Sequence, residues 1–271
     1  MNTMATSTSL RVCLFCSQRL DDRAKEHVIP LWLQQYLGIT EDQLGLIVGE
    51  AKTHRISDER RLAVDQHLEG RICARCNNGW MSALENDTMP LLKTLLSCEK
   101  DISSLNMGDK LLLSRWAAKT AFMMNSASAF DRKVPREHFA ELYRSPTRLP
   151  GGVFVLAQQH RHTEGFHLFQ FPSWDLVGLP GPESRAVDDA LLTAYKIGFQ
   201  LGTLLVVVGF FSVRPYVLYL WHGVHVCLWP LVPRIRWREP ADTGFPWDDS
   251  LAALVAFMNG AGLSLETAKV S

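Results

Sequence analysis

The sequence predicts an α+β protein in three parts: a cysteine-bearing head over residues 10–92, a helical segment over 93–148, and a β-rich half with a C-terminal helix over 149–271. Three observations carry that reading. Two Cys-x2-Cys pairs lie before residue 80. Apolar residues then recur at helical spacing up to about residue 145. From Leu149 the chain breaks into short Val/Phe/Leu/Tyr-rich runs between Gly and Pro turns.

Within the head, LWLQQYL (31–37) follows Pro30 and reads as a short helix. ITEDQLGLIVGEAKTHRISDERRLAV is turn-rich with strand-like stretches. RRLAVDQHLEGRICARC alternates apolar and polar positions and is expected to lead as a strand into the second cysteine pair. Beyond Asn77, the residues Trp80, Met81, Leu84, Leu91, Leu92 and Leu95 mark a helix. Pro90 should kink or split it, with Asp87 or Thr88 opening a new turn. GDKLLLSRWAAKTAFMMNS (108–126) reads as a more apolar helix packed on the first, and PREHFAELYRS (135–145) as a third begun by its proline. In the last part, GGVFVLAQQH, FHLFQF, TLLVVVGFF and YVLYLW read as strands, whereas DDALLTAYKIGFQ fits a helix or the lead-in to a strand. RIRW (234–237) has the pattern of an edge strand, and PWDDSLAALVAFMNGAGLS that of an amphipathic helix with a glycine stop.

With 47% hydrophobic and 21% charged residues the chain is globular material, not a disordered one. Its 28 Lys and Arg balance 28 Asp and Glu, and the first hundred residues hold 12 against 13. No global field steers a polyanion, so any nucleic-acid contact must come from a local patch. The start MNTMATSTSLRV has neither a basic opening nor an apolar core, so no signal peptide is read and a cytoplasmic location is expected. Residues 197–213 and 215–233 are uncharged and near the lower limit of about 17 residues for a spanning helix. They are rich in Val, Phe, Tyr and Trp, broken by Gly and Pro, and lack a flanking basic cluster. Buried strands explain them better than a membrane.

Cys13 and Cys16 form one pair, Cys73 and Cys76 the other. Each spacing lets two thiolates reach one ion from a tight turn, and two such pairs suit a four-cysteine structural Zn²⁺ site. The competing reading, two unconnected redox motifs, finds no thioredoxin-like βαβ pattern around either pair.

Zinc alone does not call for Glu26-His27 or for Asn77, which directly follows Cys76. The set C-x2-C…EHVIP…C-x2-CNNGW resembles the His-Asn-His (HNH, ββα-metal) endonuclease superfamily, in particular the four-cysteine zinc branch that includes phage endonuclease VII. The resemblance covers about residues 10–90. It implies a zinc-stabilised ββα-metal head, in which Glu26 and Asn77 hold a catalytic Mg²⁺ or Mn²⁺ and His27 is the general base. The implied activity is hydrolysis of phosphodiester bonds, with DNA the expected partner and the β-rich half a candidate for recognition. The chain departs from the family in having Glu where Asp is usual, in lacking a third histidine, and in carrying 45 residues between His27 and Cys73. Over its whole length the pattern is also similar to uncharacterised bacterial proteins with an EHVIP…CNNGWM…LE head and a RWAAKTAF-type helix.

The bland alternatives stand beside this. Glu26-His27 would then be a satisfied polar pair, Asn77-Asn78-Gly79 a cap and turn, and the protein an inactive zinc-stabilised module that binds nucleic acid or a protein. Trp80 and Glu85 are expected on the core and surface of their helix, Glu85 being about two turns past Asn77. Arg115 and Lys119, i and i+4 on an otherwise apolar helix, are candidates to touch phosphate, but snorkelling at the edge of a core fits them better. The histidines 160, 162 and 167, and 222 and 225, have metal-like spacing without a carboxylate cluster.

Overall fold

A computed structural model describes residues 11–20, 23–40, 43–50, 55–128, 132–161, 166–171, 193–212, 216–240 and 244–265. Within them the chain is α+β, with sheets at both ends and helices between. In the head, β1 (Arg23–His27) pairs antiparallel with β4 (Leu68–Cys73), placing Glu26 opposite Glu69 and His27 opposite Leu68. Helix α1 (Leu31–Leu37) starts after Pro30 and ends on Gly38, whose φ of 69° lets its N–H return to the carbonyls of Gln34 and Gln35.

The long insert does not stay in the head. Its hairpin, β2 (Gln43–Glu50) and β3 (Arg55–Ala63), forms the end of a seven-stranded sheet by parallel pairing of Gly45–Val48 with His167–Gln170. A 3₁₀ turn at Val64–Gln66 therefore breaks the single alternating run that the sequence suggests, sending β3 and β4 to different sheets.

After β4 come α2 (Ala74–Cys76), one π-helical turn (Asn77–Met81) and α3 (Ser82–Leu96). The distortion falls at Gly79 (φ −98°, ψ −110°), not at Pro90, which sits inside a continuous α3. Pro90 removes the helical donor for the Asn86 carbonyl, and both residues are exposed, so water can replace it.

Helix α4 (Met107–Ala127) is capped by Asn106, which accepts from the Asp109 N–H at 2.9 Å, and every residue from Leu113 to Ser126 is buried. A helix buried all round must lie at the centre. It packs between α3 and the sheet, which α5 (Arg136–Arg144) also covers.

The rest of the large sheet is β5 (Val153–Gln159), β6 (Phe166–Phe171), β7 (Tyr195–Leu201), β8 (Leu204–Phe210) and β10 (Val226–Trp229), in the order β10-β5-β8-β7-β6-β2-β3. Period-two alternation splits its core. Val155, Ile197, Phe199, Val206 and Val208 face α4, where Trp116 meets Phe199 edge-on at 6.2 Å. Phe154, Leu156, Leu205 and Val207 face the other way. There they meet α6 (Ser250–Asn259), capped by Asp249, and a small sheet of β11 (Ile235–Arg238), β9 (Tyr216–Trp221) and β12 (Gly262–Leu265). Burying each such side chain contributes about 1.5–3 kcal/mol. RIRW is an edge strand, as its pattern suggests. Among the described residues no helix is long and apolar enough to cross a membrane, and the two uncharged stretches are β7, β8, β9 and β10. The first part of DDALLTAYKIGFQ lies outside the described residues.

Candidate functional site

The first cysteine pair sits in a tight hairpin. The Cys13 N–H donates to Gln18 O, Ser17 N–H returns to Cys13 O, and Ser17 takes a left-handed φ of 61° to close the turn. Leu14 N–H donates to Arg71 O at 3.0 Å, docking this hairpin on β4. The second pair straddles the end of β4 and the first helical turn, where the Cys73 sulfur accepts from Cys76 N–H at 3.4 Å. All four Sγ atoms, of Cys13, Cys16, Cys73 and Cys76, lie within 4.8 Å of one another, with Cys16 and Cys73 3.6 Å apart. A tetrahedral ion with Zn–S bonds of about 2.3 Å separates its sulfurs by about 3.8 Å, so the donor set fits a metal ion such as zinc. The sulfurs already polarise one another. A hydrogen bond with the Cys76 thiol lowers the Cys13 thiol to about 4, and the same contact raises Cys76. Phe15 anchors the hairpin by packing edge-on against Trp80 at 4.9 Å and Phe139 at 5.3 Å.

This arrangement fixes where Asn77 goes, because it follows Cys76 directly. The β1–β4 ladder fixes Glu26. The two meet: the Asn77 side chain lies close enough to the half-buried Glu26 carboxyl to favour its charged form. Burial pushes Glu26 up to about 7, against the pull of the Lys119 ammonium and with the added push of the Glu85 carboxylate. Asn77 also donates to Asn78 Oδ1 at 3.4 Å. His27 ends β1, half-buried, and has no side-chain hydrogen bond or ion pair among the described residues.

Glu85 and Lys119 belong to this cluster, against the expectation that one lies on a helix surface and the other at a core edge. Lys119 is completely buried on α4 and is ion-paired with Glu85 on α3. The available signal was a cation in the middle of an otherwise apolar helix, which demands a counter-charge. Arg115 is likewise turned inward rather than to the edge of the core. It is buried and donates to the carbonyls of Leu142 and Arg148, at and beyond the end of α5.

Two of the other histidines are held within the packed interior. His160 is buried and stacks on Trp247, and His225 accepts from Trp221 N–H through Nδ1 and donates to Phe257 O through Nε2 at 2.8 Å. His162 lies outside the described residues.

No family model matches the sequence, and no curated protein or solved structure is significantly similar to it.

Proposed function

We propose that the chain is a metal-dependent endonuclease that hydrolyses DNA phosphodiester bonds through a zinc-stabilised ββα-metal head. The observation that carries this reading is the meeting of Glu26 and Asn77, brought from separate elements to one place beside a four-cysteine cluster. The order β1, β4, helix supports the head, and the four-sulfur cluster supports structural Zn²⁺ at Cys13, Cys16, Cys73 and Cys76.

Glu26 carboxylate and Asn77 carbonyl are the oxygen donors a hard cation prefers, and would hold Mg²⁺ or Mn²⁺. Such an ion supplies positive charge where the scissile phosphate and its leaving oxygen become more negative. His27 accepts the proton of the attacking water as the water oxygen bonds to phosphorus and the P–O3′ bond breaks, the departing oxygen taking a proton from solvent. Lys119 pairs with Glu85 and also draws on Glu26, so that Glu26 does not face an unpaired carboxylate.

A second reading, an inactive zinc-stabilised binding module, draws on one observation. A general base is normally oriented by a partner on its second nitrogen, and His27 has none among the described residues. Cleavage of supercoiled plasmid with Mg²⁺, with Mn²⁺ and with EDTA, beside His27→Ala protein of verified zinc content, separates the two. Metal-dependent nicking lost in the variant is the expected result. Equal behaviour of both proteins would favour the binding module.

A further inference from the structure

Beyond the cysteine cluster and the Glu26–Asn77 pair lies a cavity of about 440 Å³ between β4, the first cysteine hairpin, the end of α4 and the start of α5. That volume falls in the range of small-ligand sites. Four arginines line it, Arg11, Arg71, Arg132 and Arg136, and no lining residue is acidic. Neither Glu26, Asn77 nor Glu85 takes part.

The cations are gathered, not scattered. Arg71 Nη2 donates to the Ser126 carbonyl at 3.0 Å, and Arg132 Nε donates to the same oxygen at 3.2 Å. Two guanidinium groups sharing one neutral acceptor repel each other. Arg71 is aimed by Glu69, 97% buried behind it, through Nε to Oε1 and Nη2 to Oε2, both 3.1 Å. This pair offsets one positive charge only. Arg11 and Arg136 are exposed and have no ion pair among the described residues. Arg136 is also the first residue of α5, so the positive end of a nine-residue helix lies at the same rim. Beside the cations the wall is apolar, with Leu14 and Phe139.

We propose that this cavity binds the phosphate of a nucleotide-sized ester, with the arginines holding the phosphate and the Leu14–Phe139 wall receiving the nucleoside. Arginine suits the role because its planar fork matches phosphate oxygens in pairs. The site is independent of the nuclease reading, because it shares none of that reading's residues and its occupancy is measured without cleavage.

The test is calorimetric titration of the full, zinc-loaded chain without magnesium, using adenosine 5′-monophosphate, inorganic phosphate and a short oligothymidylate as probes. Arg11→Glu and Arg136→Glu are the variants, since both side chains are exposed and their reversal leaves the fold intact. Saturable binding of the mononucleotide, tighter than phosphate and weakened at least about tenfold by either reversal, is the expected result. Tighter binding of the oligonucleotide would support the site and assign its phosphate to a nucleic-acid backbone. A preference for the mononucleotide would support it and assign a free ligand. Absence of saturable binding to all three probes, or binding unchanged in both variants, would overturn the proposal. Phosphate binding as tightly as the mononucleotide would remove the nucleoside from it.

Discussion

Lys119 on α4 and Glu85 on α3 form an ion pair at the floor of the head, the lysine with no exposed surface and the glutamate side chain 14% exposed. Removing one partner leaves the other charged and poorly solvated. Lys119→Met should therefore cost about 3–5 kcal/mol of unfolding free energy. Adding Glu85→Gln should restore a large part of it. Urea unfolding of both singles and the double gives the coupling, and simple additivity would show that the pair does not act as a unit.

The cysteine cluster links three elements with no disulfide. The purified protein is expected to carry a single zinc ion per chain by elemental analysis, and Cys73→Ser to lose it. Because Cys73 ends β4 and precedes Asn77, the head should lose amide protection in that variant before β5, β7 and β8 do. Equal loss in both regions, read by hydrogen exchange, would contradict this order.

Three buried histidines link stability to acid. Burial lowers His67, His138 and His225 to about 4, against an ordinary value of 6.5. The unfolded chain thus binds more protons between these values. Their contribution is fully present above about pH 6.5, falls as pH drops through the window, and falls no further below about 4. Glu26, raised to about 7, acts in the opposite direction, so the measurement belongs in a Glu26→Gln background. There, His138→Phe should flatten the dependence of unfolding free energy on pH between 6 and 5 by up to roughly 1.4 kcal/mol per unit. An unchanged slope would mean that His138 titrates normally in the folded protein.

Gly152 precedes β5 with φ of 84°, and a Cβ there would lie 2.6 Å from the Phe211 carbonyl oxygen. Backbone cannot step aside as a flexible side chain can. Gly152→Ala is expected to lower the unfolding free energy by about 2–3 kcal/mol, from strain and collision together. Thermal unfolding checks it.

Much of this architecture can be read from residue pattern. LWLQQYL after Pro30, the apolar helix through Trp116 and the Val-rich runs all fall where their periodicity puts them. The cysteine spacing pointed to the observed four-sulfur cluster. What the pattern could not give is pairing across long separations. Nothing local in QLGLIVGE says that its backbone meets His167–Gln170, and β12 after the glycine stop is legible only once β9 offers an edge. Pro90 misled because a proline's cost depends on whether its orphaned carbonyl sees water. Glu85 and Lys119 were hidden for a related reason: each looks like surface until its partner, 34 residues away in the chain, is known.

The hairpin of β2 and β3 also sets an order of events during synthesis. β1 emerges early, and β4 follows it within about fifty residues, yet β6, which covers the other edge of β2, ends at Phe171. Until the ribosome has delivered that segment, β2 presents an open edge to any other nascent chain. A head made alone would keep that edge permanently. Fragments ending near residue 148 are thus poor vehicles for studying the site, because only the later half supplies the strand that closes this edge.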